Sequence, residues 1–327
     1  MGEYLFRRVL LIFPTVIVIS MITFVIIQLP PGDFLTSYVA SLESSGQIVD
    51  QSTIDALRSQ YGLGEPIYVQ YWKWITGVVT GDFGQSFQWQ RPVADLIGER
   101  LSLTIVLSLS SLLLIWALSF PIGIYSAVRQ YSPGDYAFTL LSFIGLGIPN
   151  FLLALVLMWF SYSWFGLTVG GLFSTEYAEA PWSIGKVLNL LSHLWLPTIV
   201  LGLGGVAGLI RIMRANLLDE LHKPYVVTAR AKGLSERNLI VKYPVRVALN
   251  PFVSTIGWTL PGIVSGSIIV SVVLNLPTTG PLLLTALQSQ DMYLAGAIIL
   301  LLSVLTVIGT LISDLLLAWL DPRIRFG

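Results

Sequence analysis

Six apolar stretches constrain this chain more than any other feature. They run from Val9 to Gln28, Leu103 to Val128, Phe138 to Phe165, Leu194 to Ile210, Pro251 to Leu276 and Leu294 to Leu320. A helix needs about 20 mainly apolar residues to cross the hydrocarbon of a bilayer, and a longer stretch tilts or extends past it. Composition agrees: 54% of the 327 residues are hydrophobic, 11% are charged, and mean hydropathy is +0.78. Soluble domains carry about 25% charged residues, and a soluble protein this apolar would expose large sticky patches. Disorder is excluded because disordered chains are poor in apolar residues. The expected fold class is an all-α integral membrane protein with six transmembrane helices in a single membrane domain over residues 1–327. The first stretch is longer than a signal-peptide core of about 7–15 residues and is followed by no small-residue cleavage site, so it reads as a retained helix.

Lys and Arg concentrate in cytoplasmic loops. Arg7, Arg8, Arg129, Arg211, Arg214, Lys223, Arg230, Lys232, Arg237, Lys242, Arg246, Arg323 and Arg325 fall on one side, thirteen of the eighteen basic residues. Arg58, Lys73, Arg91, Arg100 and Lys186 fall on the other. Both termini are therefore expected in the cytoplasm. The zero net charge is a cancellation between compartments. Inside, the thirteen cations face six acids (Glu3, Asp135, Asp219, Glu220, Glu236 and Asp321), outside five cations face eleven acids, Asp291 among them, and Asp314 within the sixth stretch supplies the remaining negative charge. Neutrality as a whole argues against broad nucleic-acid binding. With no cysteine and only His193 and His222, disulfides and thiolate metal sites are excluded and a metal centre has little to build on.

The external segment, residues 30–102, carries local signals. Ser52 followed by Asp55 resembles a capping box that opens a helix ending at Gly62. Pro66 opens a second helix through Thr76, with Tyr68, Tyr71, Trp72 and Trp74 on it. Those aromatic residues read either as an interfacial belt at headgroup level or as a docking surface for an external partner. Gly204–Gly208 and Gly262–Gly266 each contain the small-xxx-small spacing that lets helices approach closely in lipid.

The segment 213–250 between the fourth and fifth stretches is the most informative. Pro224 suits the first position of a helix. Tyr225–Lys232 has helical composition, and Gly233 fits the left-handed position that ends it. Ser235 suits the cap of a second helix that reaches Tyr243 before Pro244. Two short helices joined by a Gly turn form a knob suited to a groove on a cytoplasmic protein. The same cations also suit a segment lying on anionic lipid.

The order of residues here carries a resemblance. Tyr225-Val226-Val227-Thr228-Ala229-Arg230-Ala231-Lys232-Gly233-Leu234-Ser235 resembles the coupling loop of ATP-binding-cassette importer permeases, in the spelling of the dipeptide/oligopeptide branch. Arg7-Arg8, Pro31-Gly32-Asp33, Tyr61-Gly62-Leu63, Gly81-Asp82-Phe83-Gly84 and Leu320-Asp321-Pro322-Arg323-Ile324-Arg325 extend the likeness over nearly the whole chain. Val227 stands where the general motif has Glu, and Ser271 where the family often has an acid after the fifth span.

The resemblance implies the type I importer permease fold and a multi-pass subunit in a bacterial or archaeal plasma membrane. It also implies a second homologous permease, two cytoplasmic ATPase subunits and an external solute-binding protein as partners, besides membrane lipid. The chain has no Gly-x-x-x-x-Gly-Lys-Ser/Thr run to cradle phosphates, so ATP and Mg would reside on the partner ATPases, with no cofactor on this chain and no enzymatic activity of its own. The implied solute is a di- or oligopeptide, with oligosaccharides, opines or other small solutes as alternatives. From a different class, an ion-coupled secondary transporter explains the spans but not the loop. An intramembrane enzyme lacks a catalytic constellation.

The resemblance assigns the ATPase contact to Tyr225, Thr228, Ala229, Arg230, Lys232 and Gly233, with small Ala229 and Gly233 allowing close approach. Pro149 interrupts the third stretch and Asn150 beside it offers donors and acceptors to a solute. Trp258 and Thr259 are further candidates for the pathway wall. Asp314, inside the sixth stretch, needs a partner or a wet cavity, and Arg211 is the candidate for a structural ion pair with it.

Overall fold

The computed structural model describes residues 2–29, 52, 54–56, 59, 64–86, 88–167, 169–255 and 268–320. Twelve labelled helices and one short hairpin follow in order. Helix α1 is Gly2–Gln28 and α2 is Ile67–Thr80. The hairpin pairs β1 (Gln85–Ser86) with β2 (Arg91–Pro92), Gln85 opposite Pro92. Then come α3 (Val93–Val128), α4 (Pro133–Gly147), α5 (Asn150–Phe165), α6 (Thr175–Ala178) and α7 (Ile184–Leu221). The series ends with α8 (Pro224–Ala231), α9 (Glu236–Lys242), α10 (Pro244–Ser254), α11 (Thr279–Gln288) and α12 (Met292–Leu320). Residues 268–273 are also helical.

The protein is an all-α membrane protein. Among the described residues, α1, α3, α7 and α12 are each long and apolar enough to cross a bilayer. The third stretch is not one straight helix. It breaks into α4 and α5, bent by 104°, which makes up to five crossings among the described residues. Proline supplies the cause: it has no N–H to donate, and it forces the preceding residue away from helical backbone. Ile148 sits at φ −91°, ψ 122° and Pro149 at φ −59°, ψ 135°, so two extended residues separate the helices. Of the fifth stretch, residues 256–267 lie outside the described residues, and with them the Gly262–Gly266 pair.

Helices overrun their apolar stretches. At 38 residues α7 is roughly 57 Å long, well beyond a hydrocarbon core of about 30 Å. Ser183 caps its start by accepting from the Lys186 N–H at 3.2 Å.

Backbone contacts divide the chain into two units, Met1–Arg8 with Thr104–Pro277 and Thr306–Gly327, and Val9–Leu103 with Thr278–Leu305. In the first, α7 is the central element, packed by α4, α5 and α10, and its buried face includes Leu196, Val200, Leu209, Met213 and Leu217. Close approach to α3 depends on glycine. A Cβ on Gly123 would lie 2.6 Å from Met213 Cβ, and one on Gly205 would lie 2.6 Å from Ile115 Cδ1. The sequence pattern placed that role on Gly204 and Gly208, but among the described residues neither meets a close neighbour there.

In the second unit, α2 packs on α1 and α12 through Phe24, Trp74 and Leu300, with Tyr71, Ile75 and Val78 around them. Ser20 and Tyr71 hydroxyls meet at 2.8 Å. The helix ends four residues later than the expected Thr76. Asp291 is 1% exposed and caps α12, accepting from Leu294 N–H at 3.3 Å, from the Ser86 hydroxyl at 2.5 Å and from Gln88 N–H at 3.3 Å. The helix expected from Ser52 is described only at Ser52, Ile54–Ala56 and Ser59, which are helical.

Candidate functional site

The loop after α7 folds as its residues dictate. Pro224 occupies the first turn of α8, with Lys223 at the N-cap. The helix stops because Gly233 adopts φ +81°, a left-handed backbone that a side chain would strain. Its N–H bonds the Arg230 carbonyl at 3.0 Å, and the Leu234 N–H bonds the Ala229 carbonyl at 3.4 Å. Ser235 holds the N-cap position of α9 in extended backbone, without a side-chain cap bond. Apolar spacing then closes the hairpin: Val226, Ala229 and Leu239 form a small buried core, flanked by Leu234 and Ile240.

This packing sorts the predicted contact residues. Tyr225, Thr228, Arg230, Lys232 and Gly233 are exposed, as is Val227. Ala229 is not: it is 9% exposed and faces the hairpin core. Its small side chain lets α8 approach α9.

One ion pair braces the hairpin, and one hydrogen bond ties it to the end of α7. Arg230 Nε and Nη2 donate to the two oxygens of Glu236, the latter at 3.2 Å. This bond and the opposite charge hold the Glu236 carboxyl below its ordinary range and raise the Arg230 guanidinium above its own. Tyr225 Oη donates to Glu220 Oε2 at 2.5 Å, on the last turn of α7. Burial, followed by that bond, pushes the Tyr225 phenol well above its ordinary value.

The remaining cations of the segment divide by environment. Lys223, Lys232, Arg237 and Arg246 are exposed. Arg214 turns back to Asp135, with Nε 2.9 Å from Oδ1 and Nη2 2.9 Å from Oδ2. Sequence reading missed this pair, which bridges α7 to the first turn of α4. Its one local signal is the Ser132-x-x-Asp135 spacing, since the Ser132 hydroxyl accepts from the Asp135 N–H at 3.2 Å.

The ion pair expected between Arg211 and Asp314 does not form. Asp314 Oδ2 lies 3.1 Å from Arg8 Nη1, and the Arg211 guanidinium lies 5.9 Å from the centre of the Phe143 ring. Arg211 projects toward α4, whereas Asp314 meets the start of α1. Asn150 opens α5, is half-buried, and has Oδ1 3.9 Å from where a Cβ on Gly204 would sit. Trp258 and Thr259 lie outside the described residues. Among the described residues no cluster of His, Asp or Glu is arranged to hold a metal.

Comparison with known proteins gives a consistent picture. Residues 119–326 match the family described as binding-protein-dependent transport system inner membrane component. Residues 1–108 match the N-terminal component of the same membrane proteins. The oligopeptide transport system permease protein AppB of Bacillus subtilis is 36% identical over 332 residues, covering 100% of both chains. The glutathione transport system permease protein GsiC of Escherichia coli strain K12 is 33% identical over 328 residues, again covering 100% of both.

Proposed function

Because the chain belongs to the family of binding-protein-dependent transport system inner membrane components, we propose that it forms half of the solute path of an ATP-driven peptide importer. It is a transport component and not an enzyme. The proposed partners are a second permease of the same fold, a pair of ATPases below the membrane and an external binding protein. ATP and Mg reside on the ATPases. Both termini and the α8–α9 hairpin face the cytoplasm in this reading, as the segregation of Lys and Arg supports.

The observation that carries the coupling role is the hairpin itself. It is braced from within, so that an exposed row of Tyr225, Val227, Thr228, Arg230, Lys232 and Gly233 stands out from the end of α7 as a stiff unit. A stiff knob transmits displacement, which a flexible loop would absorb. Closure of the ATPases would push on it, and rocking of the helices would alternate access to the path. Asn150, Trp258 and Thr259 are the proposed wall residues, Asn150 because it sits beside the bend between α5 and α4.

Peptide is the proposed solute, supported by the relatives, an oligopeptide permease in one case and a glutathione permease in the other. The test is reconstitution with the ATPases and binding protein in liposomes. The expected result is ATP-dependent peptide uptake, and mass spectrometry of the binding protein should find a peptide. An oligosaccharide or opine there would reassign the solute. Uptake driven by an ion gradient without ATP would overturn the importer reading.

A further inference from the structure

We infer that the Asp135–Arg214 pair is a positioning device that makes α4 move with α7, so that displacement of the α8–α9 hairpin reaches the bent α4–α5 pair. The inference rests on the coupling role proposed above and goes beyond it, because neither residue belongs to the hairpin.

The contacts are continuous from one end to the other. Val226, Ala229 and Leu239 bind α8 to α9. The Tyr225 hydroxyl and the Lys223 N–H fasten the start of α8 to Glu220, through its side chain and its carbonyl respectively. Arg214 lies six residues before Glu220 on the same helix, which is roughly 9 Å along the axis. There the guanidinium forks onto both oxygens of Asp135 at 2.9 Å. The planar fork fixes orientation as well as distance.

The receiving end is also fixed. Asp135 Oδ2 accepts from the Tyr131 N–H at 3.0 Å and thereby holds a residue whose φ is +62°. The Ser132 hydroxyl accepts from the Asp135 N–H, which caps α4. The Asp135 side chain is 3% exposed, so water offers little competition for its bonds. One carboxylate therefore ties the turn before α4 to the position of α7, while the backbone N–H of the same residue completes the cap of α4. At its other end α4 stops at Gly147, where the 104° bend to α5 begins. A shift of α7 that α4 must follow is thus delivered to the bend beside Asn150.

The experiment uses the whole transporter with its ATPases and binding protein. The chain has no cysteine, so Tyr136→Cys on α4 and Asp219→Cys on α7, both at exposed positions, report the separation of α4 and α7 by spin-label distance measurement. In the otherwise wild-type chain that separation is expected to stay the same between nucleotide-free and ATP-bound states. In Asp135→Asn it should spread between those states, and ATP consumed per peptide imported should rise above the wild-type ratio. The charge-swapped double variant Asp135→Arg, Arg214→Asp should recover part of that ratio.

A separation that changes with nucleotide in the wild-type chain overturns the inference. So does an Asp135→Asn complex that assembles and keeps the wild-type ratio. If Asp135→Asn fails to assemble, the wild-type distances still decide. Failure of the underlying reading looks different: the wild-type transporter itself would then import peptide without consuming ATP.

Discussion

The junction of α4 with α7 and the α8–α9 hairpin each contain an arginine bidentate on a carboxylate, but the two pairs stand in opposite surroundings. Asp135 and Arg214 are separated by 79 residues, with side chains 3% and 27% exposed. Arg230 and Glu236 are six residues apart, with side chains 48% and 57% exposed. In the first place the carboxylate is screened from water and depends on the guanidinium it faces. In the second, water and salt screen the attraction, and such pairs contribute little to stability. Burial thus turns one chemistry into a fixed joint and leaves the other as an adjustable surface brace. A brace of that kind suits a face that must meet a partner, because its groups can be given up cheaply.

The largest effect that separates the two is expected from Arg214→Ala. It strands a buried carboxylate and should destabilise the detergent-solubilised complex by about 3–5 kcal/mol in thermal unfolding, whereas Arg230→Ala should leave the melting temperature unmoved. Equal shifts would break the comparison. Next comes Leu239→Ala, which empties the hairpin core. A loss of about 2–5 kcal/mol is typical of such truncations, and it should appear as new protease cleavage between residues 223 and 243 while the spans stay inserted.

Gly233→Val should be smaller. A β-branched residue forced to φ +81° costs about 1–3 kcal/mol, and the readout is loss of uptake with normal membrane insertion. The smallest effect is the response of the brace to acid. Glu236 is held below its ordinary value of 4.5 by Arg230, so its contribution is complete above 4.5 and fades as pH falls through the lowered value. Hydrogen exchange of α9 should quicken in that window in the wild type and not in Glu236→Gln.

Local structure was largely legible in the sequence, and long-range pairing was not. The α8–α9 hairpin could be placed to within about a residue because Pro224, Gly233 and Pro244 each restrict their own backbone, whatever surrounds them. Pro149 likewise announced a break, but the angle of 104° depends on what α4 and α5 pack against. Asp314 was recognisable as needing a partner, yet the sequence reading named Arg211 and the partner is Arg8. Only the direction in which α7 turns its side chains decides between them. The packing of Ala229 on α9 was hidden for the same reason, since its small size suits an outward contact and an inward one alike. Asp291 looked like one more external acid, and its buried position is set by Ser86, 205 residues away.

Coupling in this transporter requires the exposed face of α8 to meet an ATPase. Val227 is 56% exposed on that face, and with no other cysteine in the chain a Val227→Cys variant carries a single thiol. A photo-crosslinker on that thiol, in the assembled transporter, should capture an ATPase subunit, with a yield that changes on adding ATP. Capture of lipid alone, with the thiol equally open to a water-soluble reagent whether or not the ATPases are bound, would contradict it.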